Sequence, residues 1–277
     1  MRHAFIVGLV LLTGTALRAD VTARYATNVQ FSAALPGMDQ AMKSAASAVP
    51  SSSVVRMKGT KGYSSYGRMQ AVTDLAKQEF ILIDPATKTY ATGSVDQAME
   101  RMTKAIPQVP DDATKALQSM KASFTSKKTG RTATILGIQA DETEGVLTVE
   151  GPALPGMPQS GPLVTMVLRI WQAQPAEVLR VQPLRELTGY TQFMSTFMNT
   201  GEAMRKMMAK LPGFGQGFDS MFQEMKKNKV VPLRTEMEMR MPMMAQLAQQ
   251  LAKSGQPLPP GFDPNAPFMQ MTQEMVE

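Results

Sequence analysis

Three methionines at alternate positions, Met237, Met239 and Met241, are interleaved with Glu236, Glu238 and Arg240. A β-strand turns successive side chains to opposite faces, so this stretch is expected to be a strand with one thioether face and one charged face. Burying the charged side without partners is costly, so the methionines are expected to point inwards. Three chemistries fit such a face. It can be plain core on a half-buried strand. It can line an adaptable groove for a greasy ligand, because methionine is flexible and polarisable. It can offer soft ligands to Cu(I), and Met269-x-Met271 repeats the spacing near the end of the chain. Against copper, one strand spreads alternate side chains along its length, whereas methionines at binding sites cluster across elements.

Other chemistry is restricted by what the chain lacks. It contains no cysteine and a single histidine, His3. Residues 1–19 have the order of a secretory signal: basic Arg2 and His3, an apolar run over 4–12, then small residues around Gly14, Ala16 and Ala19. Cleavage is expected after Ala16 or Ala19, and the apolar run is too short to span a bilayer. Processing at Ala19 removes His3, Arg2 and Arg18, so the formal charge falls from +6 to +4. Without His and Cys, neither a Ser-His-Asp triad nor a Cys-His pair can be built, and zinc loses its preferred ligands. No cofactor or metal site is indicated, and no catalytic residue stands out. Disulfides are excluded, so a hydrophobic core must hold the fold unaided. Lys127, Lys128 and Arg131 form a small basic cluster. It reads as a solvated sheet edge rather than a nucleic-acid surface, since the basic excess is small and no aromatics are interleaved.

The elements that would position the methionines are mostly strands. Alternation places Val21, Ala23, Tyr25, Val29 and Phe31 on one face of a long strand over 21–35. Further strands are expected over 53–58, 63–73, 79–84, 89–92, 124–128, 131–139, 145–150 and 163–172, with an acidic turn at 141–144. In the 163–172 strand, Val164, Met166, Leu168 and Ile170 share a face. Short helices are expected over 38–48 and 113–121. Another should begin at the capping box formed by Ser94 and Gln97. From Thr188 the period becomes helical. Tyr190, Met194, Phe197, Met204 and Met208 then lie on one stripe of a methionine-rich helical hairpin spanning 188–229. A loop over 151–162, a helix after Pro242 and a last strand beginning near Met269 complete the reading. The fold class is α+β, with a large curved antiparallel sheet, an open half-barrel, wrapped around a few helices. Residues 20–277 form a single domain.

The segments Val21-Thr-Ala-Arg-Tyr25, Phe80-Ile-Leu-Ile-Asp84 with its return through Tyr90, Thr129-Gly-Arg-Thr-Ala-Thr-Ile-Leu-Gly-Ile138 and Pro232-Leu-Arg-Thr-Glu236 carry a resemblance. In their order the chain resembles the LolA/LolB-type periplasmic lipoprotein carriers, and more closely some uncharacterised secreted bacterial relatives of that fold. The resemblance implies an open half-barrel with helices as a lid. It implies a periplasmic or secreted protein whose partner is a lipid or a lipid-modified protein, with no membrane anchor left after signal removal. The function expected is non-enzymatic binding of a lipid or acyl chain between sheet and lid. The lining residues expected are Val29, Phe31, Met166, Leu168, Ile170, Phe197, Met237, Met239 and Met241. The alternatives are an interaction or structural protein with a filled core, and a methionine-based Cu(I)-binding protein.

Overall fold

A computed structural model describes residues 21–32, 49–67, 69–77, 79–94, 97, 120–151, 162–200, 217, 220, 221, 223, 224, 231–242, 263 and 266–277, without the side chains of Met69 and residues 192–200. The signal segment, the helices expected over 38–48 and 113–119, most of the 151–162 loop and most of the hairpin over 201–229 lie outside these residues.

Eleven strands form one antiparallel sheet: β1 (Val21–Phe31), β2 (Ser52–Lys58), β3 (Lys61–Tyr66), β4 (Met69–Asp74), β5 (Glu79–Asp84), β6 (Thr89–Ser94), β7 (Lys121–Ile135), β8 (Ile138–Glu150), β9 (Val164–Ala173), β10 (Pro232–Arg240) and β11 (Met269–Met275). Their order is β6-β5-β4-β3-β2-β1-β11-β10-β9-β8-β7, so the sheet is open, with β6 and β7 at its edges. Two meanders, β2 to β6 and β7 to β10, are joined through the first and last strands. The short helix α1 (Pro175–Arg180) and the longer α2 (Gln182–Thr200) follow β9 directly. Among the described residues no helix is long and apolar enough to cross a membrane.

The turns follow local chemistry. Asp74 Oδ1 accepts from the backbone N–H groups of Ala76 (3.1 Å) and Lys77 (3.2 Å), and Asp84 Oδ1 accepts from Ala86 N–H (3.0 Å). The expected capping box is formed: Gln97 N–H donates to Ser94 Oγ and Ser94 N–H donates to Gln97 Oε1, both at 3.4 Å. Several expectations are corrected. The single strand over 63–73 is two strands, reversed at Gly67, whose φ is +60°. The acidic stretch 141–144 is not a turn but the middle of β8. The reversal lies at Leu136-Gly137, where both residues have positive φ, as a two-residue hairpin of the primed type requires. The carboxylates are accommodated in mid-strand because cations and an amide meet them: Arg131 pairs with Glu142, Lys127 and Arg169 with Glu144, and the Gln174 amide with Asp141. Similarly, 124–128 and 131–135 belong to one strand, β7, with a bulge between Lys128 and Thr132, and 138–139 already open β8. Lys121, expected in a helix, opens β7. The long helix begins at Gln182, six residues before Thr188.

The core joins Val21, Ala23, Met57, Leu233 and Met275 of the central strands to Ile138, Ala140, Trp171 and Ala173 of β8 and β9. Leu184, Leu187 and Tyr190 of α2 pack upon it. Gly62 permits this docking: a Cβ there would stand 2.8 Å from the Tyr190 ring. Burial raises the Tyr190 hydroxyl pKa, partly offset by a hydrogen bond with Ser64.

Candidate functional site

The antiparallel register assembles the expected apolar residues into two rows. Met237 pairs with Leu168 on one side and Met271 on the other, and Met271 pairs with Val29. Met239 pairs with Met166 and Met269, and Met269 pairs with Phe31. One row therefore reads Leu168–Met237–Met271–Val29, and the next reads Met166–Met239–Met269–Phe31. Each crosses β9, β10, β11 and β1. Period-two alternation puts both rows on one face. Ile170 lies on the same face one row further, opposite Thr235, and Met241 follows β10 immediately.

The first row extends through Gly145 and the second through Leu147, the pairing partners of Leu168 and Met166. Phe124 leans into the space that Gly145 leaves: a Cβ there would meet its ring at 2.8 Å. At the other end Phe268 meets Phe31 edge-on, with ring centroids 6.1 Å apart.

Burial divides this face. Where α2 covers it, Ala23 and Leu233 are 0% exposed. Along the two rows Val29, Phe31, Met166, Leu168, Met237, Met239, Met269 and Met271 are all half-buried, as are Ile170 and Met241. Phe197 is in α2, but its side chain lies outside the described residues. The structure thus brings eight of the nine expected lining residues onto or beside one apolar face. Sequence reasoning left out Met269, Met271, Leu147 and Phe268. Met269 and Met271 carried the signal, an alternation matching that of β10, but the neighbouring strand could not be read from spacing.

The opposite face of the same strands is charged. Arg169 donates through Nε to Glu144 (3.1 Å) and through Nη1 to Glu238 (3.0 Å), while Arg240 also reaches Glu238 (3.1 Å). Burial pushes both carboxyls up, but hydrogen bonds and charges outweigh it and hold both below the ordinary range. They come from Lys127 and Arg169 for Glu144, and from Arg169 and Arg240 for Glu238. Glu238 is held half-buried in this ladder. Arg234 pairs with Glu274 (2.6 Å) and lies over the Trp171 ring, 5.5 Å from its centroid. An open depression is lined by Asn28, Gln30, Glu236, Glu238, Gln270 and Thr272 together with Met237 and Met271. Most of its lining is polar, and Met237 and Met271 are the two residues it shares with the apolar rows.

Among the described residues no three His, Cys, Asp or Glu side chains come together to hold a metal ion. The donors along the two rows are thioethers, which neither transfer protons nor act as general bases. The arrangement can therefore hold an apolar group or a soft cation. No protein-family model and no curated protein matches the chain.

Proposed function

We propose that the chain is an exported, non-enzymatic carrier that holds a lipid acyl chain against the apolar rows of β9, β10, β11 and β1. In this reading the sheet curves as an open half-barrel, as in the LolA/LolB-type carriers that the sequence resembles, and the helical segment after β9 acts as lid. The observation that carries the reading is the burial contrast on one face. Apolar side chains in two continuous rows stay half-buried, while Ala23, Leu233 and Met275, further along β1, β10 and β11, are sealed in the core that α2 joins. A sheet face with only a structural role would be sealed along its length, and a half-open apolar strip suits a ligand that completes the packing. Methionine suits a chain of variable length because it repacks with little strain. Export is supported by the order of residues 1–19, and the lack of enzymatic activity by the loss of the single histidine with that segment.

The test is uptake of a fluorescent fatty-acid probe, combined with native mass spectrometry of protein purified from an exporting host. Saturable uptake, displaced by unlabelled fatty acid, and a co-purified lipid mass are expected. An empty protein that takes up no probe would leave the filled-interior reading in its place.

A further inference from the structure

We propose that Met237, Met239, Met269 and Met271 form a binding site for a soft monovalent cation, copper(I). Met237 pairs with Met271 and Met239 with Met269 across β10 and β11, so the four residues occupy the corners of one rectangle of the backbone. Directly opposed residues on paired strands have Cβ atoms about 4.5–5.5 Å apart, and diagonal neighbours about 7–8 Å. Each methionine carries its sulfur on three rotatable bonds, which is enough reach for the four sulfurs to converge above the centre of the rectangle. Met166, opposite Met239 on β9, stands ready as a fifth thioether.

The pairing removes the objection to copper raised by the sequence. A single strand spreads its methionines along its length, but two strands in this register gather four of them. Thioethers are soft ligands and favour Cu(I) over hard divalent ions. The chain has no cysteine to compete for it. All four side chains are half-buried, so the cation can enter from solvent, whereas Met57 and Met275, 3% and 4% exposed, are closed to it. The ligands are neutral, so the bound ion keeps its charge and binding requires no deprotonation. Affinity should therefore be flat with pH between about 5 and 8, unlike that of thiolate or imidazole sites. The proposal stands apart from the acyl-ligand reading, although the two occupants share one face.

The full exported chain is titrated with Cu(I) under anaerobic conditions against bicinchoninate. The expected result is removal of one Cu(I) per chain from the chelator, and at least a hundredfold loss of affinity when all four methionines are changed to leucine. Uptake of the fatty-acid probe is measured separately, on the copper-free wild-type protein, where the carrier reading stands or falls without the metal. Failure of one proposal is thereby separated from failure of the other. A second measurement does not depend on the quadruple variant folding. In wild-type protein labelled with 13C at the methionine methyls, Cu(I) should shift the four resonances, assigned by single Met→Leu changes, and leave Met57 and Met275 unmoved. No competition with bicinchoninate, undiminished affinity in the folded leucine variant, or shifts confined to other methionines would overturn the proposal.

Discussion

Changing Leu233 and Met239 to alanine, one at a time, distinguishes an open apolar face from a filled interior. Both residues are on β10 and both point to the covered side of the sheet, but their surroundings differ. Leu233 is 0% exposed and belongs to the core with Val231, Met275 and the start of α2. Its truncation leaves an enclosed cavity, which places the cost in the range of about 2–5 kcal/mol. Met239 is half-buried in a row whose outer side is open. Full burial of such a side chain is worth roughly 1.5–3 kcal/mol, and a half-buried one with no cavity to leave should lose about 1 kcal/mol. The assay is urea unfolding, read as the change in midpoint at constant slope. The reasoning is refuted if Met239→Ala costs as much as Leu233→Ala, because the thioether would then be sealed on all sides. Equal costs combined with no probe uptake would remove the carrier reading as well.

Arg169→Met should destabilise by about 1–3 kcal/mol near neutral pH, since it leaves two half-buried carboxylates without their shared guanidinium. Glu144 and Glu238 titrate below their ordinary values in the folded chain, so their contribution is present above about pH 4.5 and is lost as pH falls through the folded values. Urea midpoints measured from pH 7 to 3 should therefore fall less steeply in the variant than in the wild type, and parallel curves would contradict the ladder. Arg131→Ala and Glu142→Met should differ although they break the same ion pair. Arg131 is 60% exposed, whereas Glu142 is 1% exposed and its Oε2 has no hydrogen-bond partner. Losing the arginine strands a buried carboxyl at about 2–4 kcal/mol, while losing the carboxyl leaves a hydrated arginine at under about 1 kcal/mol, and thermal melts in the reverse order would refute this. Gly62→Ala should lower the melting temperature by overpacking against Tyr190 and Met57, at about 1–3 kcal/mol. Gly145→Ala meets only the half-buried Phe124 ring and should cost less in the same melts.

The central strands were legible because their two faces differ in kind. Alternation in Val21–Phe31, Val164–Ala173 and Pro232–Arg240 separates aliphatic and methionine side chains from charged ones, and period two then dictates which share a face. The peripheral hairpins were harder to place. Around Gly67 the flanking residues Tyr66 and Arg68 carry no turn chemistry beyond the glycine. At Leu136-Gly137 a leucine occupies a positive-φ position that ordinarily takes Asn, Asp or Gly, and the acidic run nearby offered a more conventional turn. That run is tolerated inside β8 only because Arg131, Lys127 and Arg169 reach it from β7 and β9, partners that single-sequence periodicity does not reveal. The start of α2 was missed for a related reason. Gln182, Pro183 and Arg185 dilute the apolar stripe, yet Leu184 and Leu187 are among its most deeply buried side chains.

The apolar site depends on a register that the opposite face helps to fix. Met237 meets Met271, and Met239 meets Met269, only in the observed pairing of β10 with β11. A slip of one residue would turn Met269 and Met271 to the charged face and bring Gln270 and Thr272 into the apolar rows. Methionine alone resists such a slip poorly, because it repacks easily and holds no directional contact. The charged face is more exacting. Arg234 pairs with Glu274 across the same two strands while lying over Trp171 of β9, and Arg169 bridges β8 to β10. These contacts have defined geometry: a slip of β11 against β10 breaks Arg234–Glu274, and a slip of β10 against β9 breaks Arg169–Glu238 and the Arg234–Trp171 contact. The alternation of Glu236, Glu238 and Arg240 with the methionines therefore has two consequences. It keeps charge off the apolar face, and through Glu238 and Arg169 it ties β10 to β9, while Arg234–Glu274 holds the β10–β11 offset that gathers thioethers from two distant segments into one site.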